Sequence, residues 1–259
     1  MHYRLFILFF LLLVNSCKKK EVFPNVDLFG HAGMGLNIPN AIFAPNSLES
    51  IELASNFEKI SGVEIDVRLS KDGHLWCFHD ETLNQSTNGS GCVENLLSQE
   101  LENLNYSTVH KEKLFQLNSH SLRNDKIYFF DLKLYNNCNQ KFVDILEFRN
   151  QLMMISTEVN FKVIVSNKSY LPFFENDFDC YFSGSILEID NNMINNSILK
   201  GFVVRNAEVS KQWIENIQTH NKEVILYDIR SNKGNKSAFQ KSPNAIFSDD
   251  LRSAIGYLP

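Results

Sequence analysis

Five acidic or imidazole side chains and one lysine stand where strand-like stretches of this chain end. Gly62 to Asp80 reads GVEIDVRLSKDGHLWCFHD and places Glu64, Asp66 and His79 within a strand, a turn and a second strand. Val63, Ile65 and Val67 alternate with Glu64, Asp66 and Arg68, so the two carboxylates project from one face. Two adjacent carboxylates repel each other, and a shared cation or a shared proton relieves the repulsion. A divalent metal is the sharper expectation; solvated carboxylates on an edge strand are the alternative for such a pattern in isolation. His31 lies among glycines after Asp27-Leu28-Phe29-Gly30, where the backbone can approach a ligand closely. In KIYFFDLKL, from Lys126 to Leu134, Asp131 and Lys133 interrupt an otherwise apolar strand. They form either an ion pair that holds loops together or part of a site.

Positioning these groups requires a scaffold that brings many strand ends together. Strand starts are expected at 28, 63, 127, 161, 181, 201, 223 and 245, most of them separated by helical spacing. Leu48, Ile51, Ala54, Phe57 and Ile60 predict a helix that starts after Ser47 and runs to Gly62; Phe142 to Ile155 predicts another, and Val209, Trp213 and Ile217 a third. Eight such units in one domain predict an α/β fold of the TIM (β/α)8 barrel type. The reactive groups of such a barrel collect at the carboxyl ends of its strands. The fifth strand, predicted over Tyr181 to Ile189, has the least defined register.

The Glu-x-Asp pair, the Lys71-Asp72-Gly73 turn and the apolar strand closing on His79-Asp80 resemble the glycerophosphodiester phosphodiesterase family, within the phospholipase C-like phosphodiesterase superfamily. Thr82-Leu83, Ser86-Thr87-Asn88-Gly89 and Gly91 extend the likeness, and Asn244 to Asp249 is similar to the family's closing strand. The resemblance implies a metal-dependent hydrolase that cleaves glycerophosphodiesters to glycerol 3-phosphate and an alcohol. It implies His31 and His79 as the acid-base pair and Glu64, Asp66 and Asp131 as ligands of Mg²⁺ or Ca²⁺. Lys133 would bind the substrate, and Tyr227 either faces the substrate or is a core aromatic.

Three positions depart from the family pattern. Ala32 stands where the family has an arginine that grips phosphate, and Arg205, at the end of the sixth strand, is the candidate substitute. Ala44-Pro45-Asn46-Ser47 lacks the family's glutamate, and Asp131 replaces a longer glutamate. Ala32 also motivates an alternative, a binding protein that kept the barrel and the metal without turnover. A phospholipase-like enzyme acting on intact lipid is a third reading.

The chain has 259 residues, 44% of them hydrophobic, and a net charge of -5, enough for one large domain. A mildly acidic chain without a basic stripe argues against nucleic acid as a partner. Leu5 to Val14 is an uninterrupted apolar run, too short to span a bilayer, and Val14-Asn15-Ser16-Cys17 resembles a bacterial lipoprotein processing site. Residues 1–16 are therefore expected to be a signal peptide, Cys17 the lipidated residue, 17–26 a linker and 27–259 the barrel; an uncleaved N-terminal membrane anchor is the alternative and leads to the same compartment. The expected location is the cell envelope, anchored to the membrane on its periplasmic or extracellular face. Cys77, Cys92, Cys138 and Cys180 lack metal-type spacing; export makes a disulfide possible, and Cys77 reads as a buried small hydrophobe.

Overall fold

The computed structural model describes residues 21–36 and 41–259. The expected signal peptide and lipidated Cys17 lie outside the described residues. Among the described residues, no helix is long and apolar enough to cross a membrane.

Eight parallel strands close into a barrel: β1 (Asp27–Gly30), β2 (Gly62–Leu69), β3 (Ile127–Leu132), β4 (Phe161–Val165), β5 (Cys180–Ser183), β6 (Gly201–Arg205), β7 (Glu223–Ile229) and β8 (Ala245–Ser248). β1 pairs with both β8 and β2, which completes the ring. The predicted starts fall within one residue of the observed ones because strands buried on both faces read as apolar runs. β5 is shorter than expected: it stops at Ser183, where Gly184 begins the turn.

Inside the barrel, Phe29, Phe129, Ile164, Tyr181, Val203, Ile225, Ala245 and Phe247 form a separate apolar plug. The rings of Phe29, Phe129 and Phe247 lie 5.0, 5.1 and 5.9 Å apart, which fills the centre and leaves room for polar groups only above it. The outward residues, such as Val63, Ile65 and Val67, belong to the larger core shared with the surrounding helices.

Two predicted helices are shorter than their apolar spacing. The first, Leu48–Ser55, is capped by the Ser47 hydroxyl, which accepts from the Ser50 N–H, and Asn56 ends it; Phe57 and Ile60 keep the helical spacing while packing from a turn. The second, Ile145–Ile155, starts only after Asp144, whose carboxylate caps it. Phe142 lies instead in a two-stranded hairpin with Tyr135, their rings 5.2 Å apart. The helix marked by Trp213 spans Lys211–Gln218 and starts at Ser210.

Leu75–Cys77 does not enter the barrel. It runs antiparallel to the end of β2, pairing Cys77 with Val67, and Phe115–Gln116 extends it further. A disulfide joins Cys92, in the rim segment that follows, to Cys138 in the Tyr135–Phe142 hairpin. Cys77 and Cys180 are free and buried.

Candidate active site

The alternation that puts Ile127 and Phe129 inside the barrel also puts Asp131 there, one layer above the plug. The β2–β3 register sets Glu64 beside Phe129 and Asp66 beside Asp131. Ligand oxygens of Glu64, Asp66 and Asp131 all lie within 4.8 Å of one another. Among the described residues, this is the cluster of acidic or imidazole groups that could hold a metal ion.

Each carboxylate is held by a different partner. Glu64 Oε2 accepts the Ala32 N–H at 2.9 Å. Asp66 is gripped twice by Asn46: the Asn46 Nδ2 donates to Asp66 Oδ2 at 2.7 Å, and the Asp66 N–H donates to Asn46 Oδ1 at 2.9 Å. Lys133 places its ammonium between two acids, 2.8 Å from Asp66 Oδ1 and 2.6 Å from Asp131 Oδ2. Asp131 Oδ1 is buried and has no hydrogen-bond partner among the described residues. A buried polar atom left in that state needs an explanation. The three carboxylates and the one ammonium leave two net negative charges, the match for a divalent ion bound through oxygen. The residues therefore fit a hard divalent cation.

The electrostatics agree with that fit. Burial, with Asp66 beside it, pushes Glu64 up to about 8, so Glu64 accepts a proton where a cation is missing. Asp66 is also buried, which opposes ionisation, but the Lys133 charge prevails and holds it well below the usual carboxylate range. The same acids outweigh burial at Lys133 and hold its ammonium charged far above the usual range.

His31, with 12% of its side chain exposed, follows β1 directly. Its Nδ1–H donates to Asp249 Oδ1 at 2.8 Å, and its Nε2 stands 3.8 Å from Glu64 Oε2. Burial works against the imidazolium, but the Asp249 hydrogen bond and the charges of Glu64, Asp249 and Asp66 prevail, pushing His31 up to about 9. The turn that carries it depends on Gly30, where a Cβ would meet the Gly33 carbonyl oxygen at 2.0 Å. Ala32 is fully buried at φ 51°, so that position presents no cation to the cavity.

His79 is more open, at 41% exposure, and its Nδ1–H donates to Asp80 at 3.1 Å. That bond, together with the imidazole charge, outweighs burial and holds Asp80 below the usual carboxylate range. Arg205 stacks over Tyr227 at 5.8 Å and donates from Nε to its hydroxyl at 3.1 Å. Tyr227 packs on the apolar plug and turns its ring toward His31, 6.4 Å between centroids, so it serves the core and faces the site.

All eight residues expected from sequence, His31, Glu64, Asp66, His79, Asp131, Lys133, Arg205 and Tyr227, line one cavity of about 270 Å³ at the carboxyl ends of the strands. A larger cavity, about 760 Å³, lies beyond the end of β2 and is lined by Glu94, Asn95, Asn136 and Lys141 among others. Neither histidine nor the acidic cluster lines it, so the smaller cavity is the candidate active site.

Sequence reading missed four contributors. Asn46 stands out in the sequence only within the Ala44–Ser47 segment ahead of the first helix, and Asp249 only at the end of the closing strand. Asp228 and Arg230 also line the cavity. Between Leu226 and Ile229 the β7–β8 register slips at a bulge where Asp228 has φ 61°. A bulge of this kind re-aims side chains beside a site. The Asp-x-Arg spacing across the end of the seventh strand is the available signal for that pair.

Comparison with known proteins gives a consistent result. The model of the Glycerophosphoryl diester phosphodiesterase family matches residues 31–170. A glycerophosphodiester phosphodiesterase of Caldanaerobacter subterraneus subsp. tengcongensis is 35% identical over 86 residues, 33% of this chain and 33% of that protein. The matched stretch thus spans about a third of that relative's length. An Oleispira antarctica phosphodiesterase, solved with the product sn-glycerol-3-phosphate, shares the fold with a TM-score of 0.71 at 18% identity, over 90% of this chain and 95% of that one. A glycerophosphodiester phosphodiesterase from Parabacteroides distasonis has a TM-score of 0.69 at 17% identity, over 90% and 96% of the two chains.

Proposed function

Since this chain belongs to the glycerophosphoryl diester phosphodiesterase family, we propose that it is a metal-dependent hydrolase that cleaves glycerophosphodiesters to glycerol 3-phosphate and an alcohol. The observation that carries this reading is the β2–β3 register. It sets Asp66 against Asp131 with Glu64 one layer below, beside a lysine that leaves the cluster short of two positive charges. A divalent cation, Mg²⁺ or Ca²⁺, held by Glu64, Asp66 and Asp131 would supply positive charge against the phosphoryl oxygens as phosphorus becomes five-coordinate.

The chain's own groups do the rest. Lys133 spends two of its three N–H donors on Asp66 and Asp131 and has one left for a phosphoryl oxygen. Arg205, whose Nε is committed to Tyr227, offers its outer nitrogens to the same oxygens and so replaces the cation absent at Ala32. Tyr227 gives the glycerol carbons a flat apolar surface. His31, kept charged by Asp249, donates the proton that the leaving alcohol needs, and His79 at the open side takes the proton of the attacking oxygen. In the same reading residues 1–16 direct export and Cys17 carries the lipid, which places the barrel at the membrane surface of the cell envelope.

The test is release of glycerol 3-phosphate from glycerophosphodiesters with choline, ethanolamine or glycerol as the leaving alcohol. Release should stop with excess chelator and return with Mg²⁺ or Ca²⁺; undiminished release in chelator removes the metal role. Tight binding of glycerol 3-phosphate without any product from these substrates would favour a non-catalytic binding protein. Cleavage of intact phospholipid alone would favour a lipid-directed enzyme.

A further inference from the structure

We propose that Arg68, paired with Glu94, is a positioning residue that fixes the backbone carrying His79; the inference builds on the reading of His79 as a proton-transferring group. Arg68 follows Glu64 and Asp66 on the same face of β2, and it is buried. Each of its three guanidinium nitrogens donates, to one segment and one acid. Nε donates to the Phe78 carbonyl at 3.1 Å, Nη2 donates to the His79 carbonyl at 3.1 Å, and Nη1 donates to Glu94 Oε1 at 2.6 Å.

The placement answers a local need. The strand that delivers His79 ends at Cys77, and the last backbone bond tying it to β2 runs from the Phe78 N–H to the Asp66 carbonyl at 3.1 Å. Beyond that point the Arg68 fork takes over the tie to β2. The imidazole is half exposed and is steadied by Asp80, its own neighbour in the chain, so its distance from the acidic cluster follows the backbone at residues 78 and 79.

Glu94 is anchored in turn. It lies two residues after Cys92, which is bonded to Cys138. Its neighbour Asn95 accepts from Asn136 and Asn139 of the hairpin, at 2.9 and 2.7 Å. Glu94 Oε2 is buried and unpartnered among the described residues, so the pair is a poor device for stability alone. Apolar residues of similar volume commonly match or exceed a buried ion pair in stabilising a fold. A planar fork that reaches two successive carbonyls supplies what an apolar pair lacks, a fixed position for the backbone between them.

The experiment measures glycerophosphodiester hydrolysis for Arg68→Met and Glu94→Gln, each alone and combined with His79→Ala. Each single change should lower kcat by roughly ten- to a hundredfold, the usual effect of a displaced reacting group, while KM stays within about twofold. Arg68→Lys should recover only part of the loss. In the His79→Ala background the same changes should cost nothing further, because a residue that acts through His79 has nothing left to position. An unchanged kcat per folded molecule, or an equal loss in both backgrounds, overturns the proposal. Should Arg68→Met fail to fold, Glu94→Gln, which preserves shape, carries the test. Hydrogen exchange gives a readout independent of turnover: exchange should quicken across residues 76–82 and stay unchanged in the barrel strands. A uniform rise, or none, overturns the proposal. Absence of turnover in the unaltered protein would instead count against the hydrolase reading, and exchange would still decide this one.

Discussion

His31→Gln should lower glycerophosphodiester turnover by about two to four orders of magnitude, the range associated with losing a positioned acid or base, with little change in melting temperature. Glutamine fills much of the same space and can donate to Asp249, but its amide cannot serve as an acid or base near neutrality. His31 is held from two sides, by Asp249 at 2.8 Å and by Glu64 at 3.8 Å, so the ring has one orientation to lose. The pH dependence has a definite sign. A donor raised to about 9 stays protonated through neutrality, so the rate should persist to weakly alkaline pH and fall above it. A cation at Glu64 cancels one of the charges that raise His31, which moves that alkaline limb downward. Steady-state rates of the variant and a pH profile of kcat/KM check both statements. A variant with near-normal rate would remove His31 from the chemistry.

The second large effect concerns the acidic cluster. Mg²⁺ or Ca²⁺ should bind more tightly as pH rises toward about 8, with release of close to one proton at neutral pH, because a buried Glu64 raised to about 8 must lose its proton to serve as a ligand. Glu64→Gln should remove both the proton release and most of the affinity, weakening binding on the order of a hundredfold or more. Titration calorimetry in two buffers of different ionisation heat measures the proton directly. Binding that is equally tight at pH 6 and pH 8, or that survives Glu64→Gln unchanged, would place the cation elsewhere. Asp66→Asn should behave differently. Asp66 is already ionised by its pairing with Lys133, so its loss removes a ligand without itself releasing a proton, and because its charge helps to raise Glu64 the proton release should shrink rather than vanish.

Much of this site was legible before any coordinates because it is built from strand ends. Glu64, Asp66, Asp131 and Lys133 interrupt apolar alternation, and a charged residue in a doubly buried strand is visible in one dimension. His31 and His79 each close such a run. The contacts that orient them were not legible. Asp249 reaches His31 across 218 residues of sequence, and Asn46 reaches Asp66 from a turn that reads equally well as a helix cap. No periodicity encodes pairs of that kind; only the closing of the barrel between β1 and β8 brings the first of them together. Helix ends were misplaced for the opposite reason. Phe57 and Ile60 sustain the apolar spacing beyond the last helical turn because the core they pack against continues there.

The covalent link between Cys92 and Cys138 makes the biochemical history of a sample matter. Bridges of this kind persist where glutathione and thioredoxin do not reach them, so protein taken from a reducing cytosol would carry two loose thiols at the rim. Such a preparation would keep its barrel, none of whose strands carries either half of the disulfide, while the segment that holds Glu94 lost a staple. Two laboratories using different expression hosts could then report different rates for one gene product.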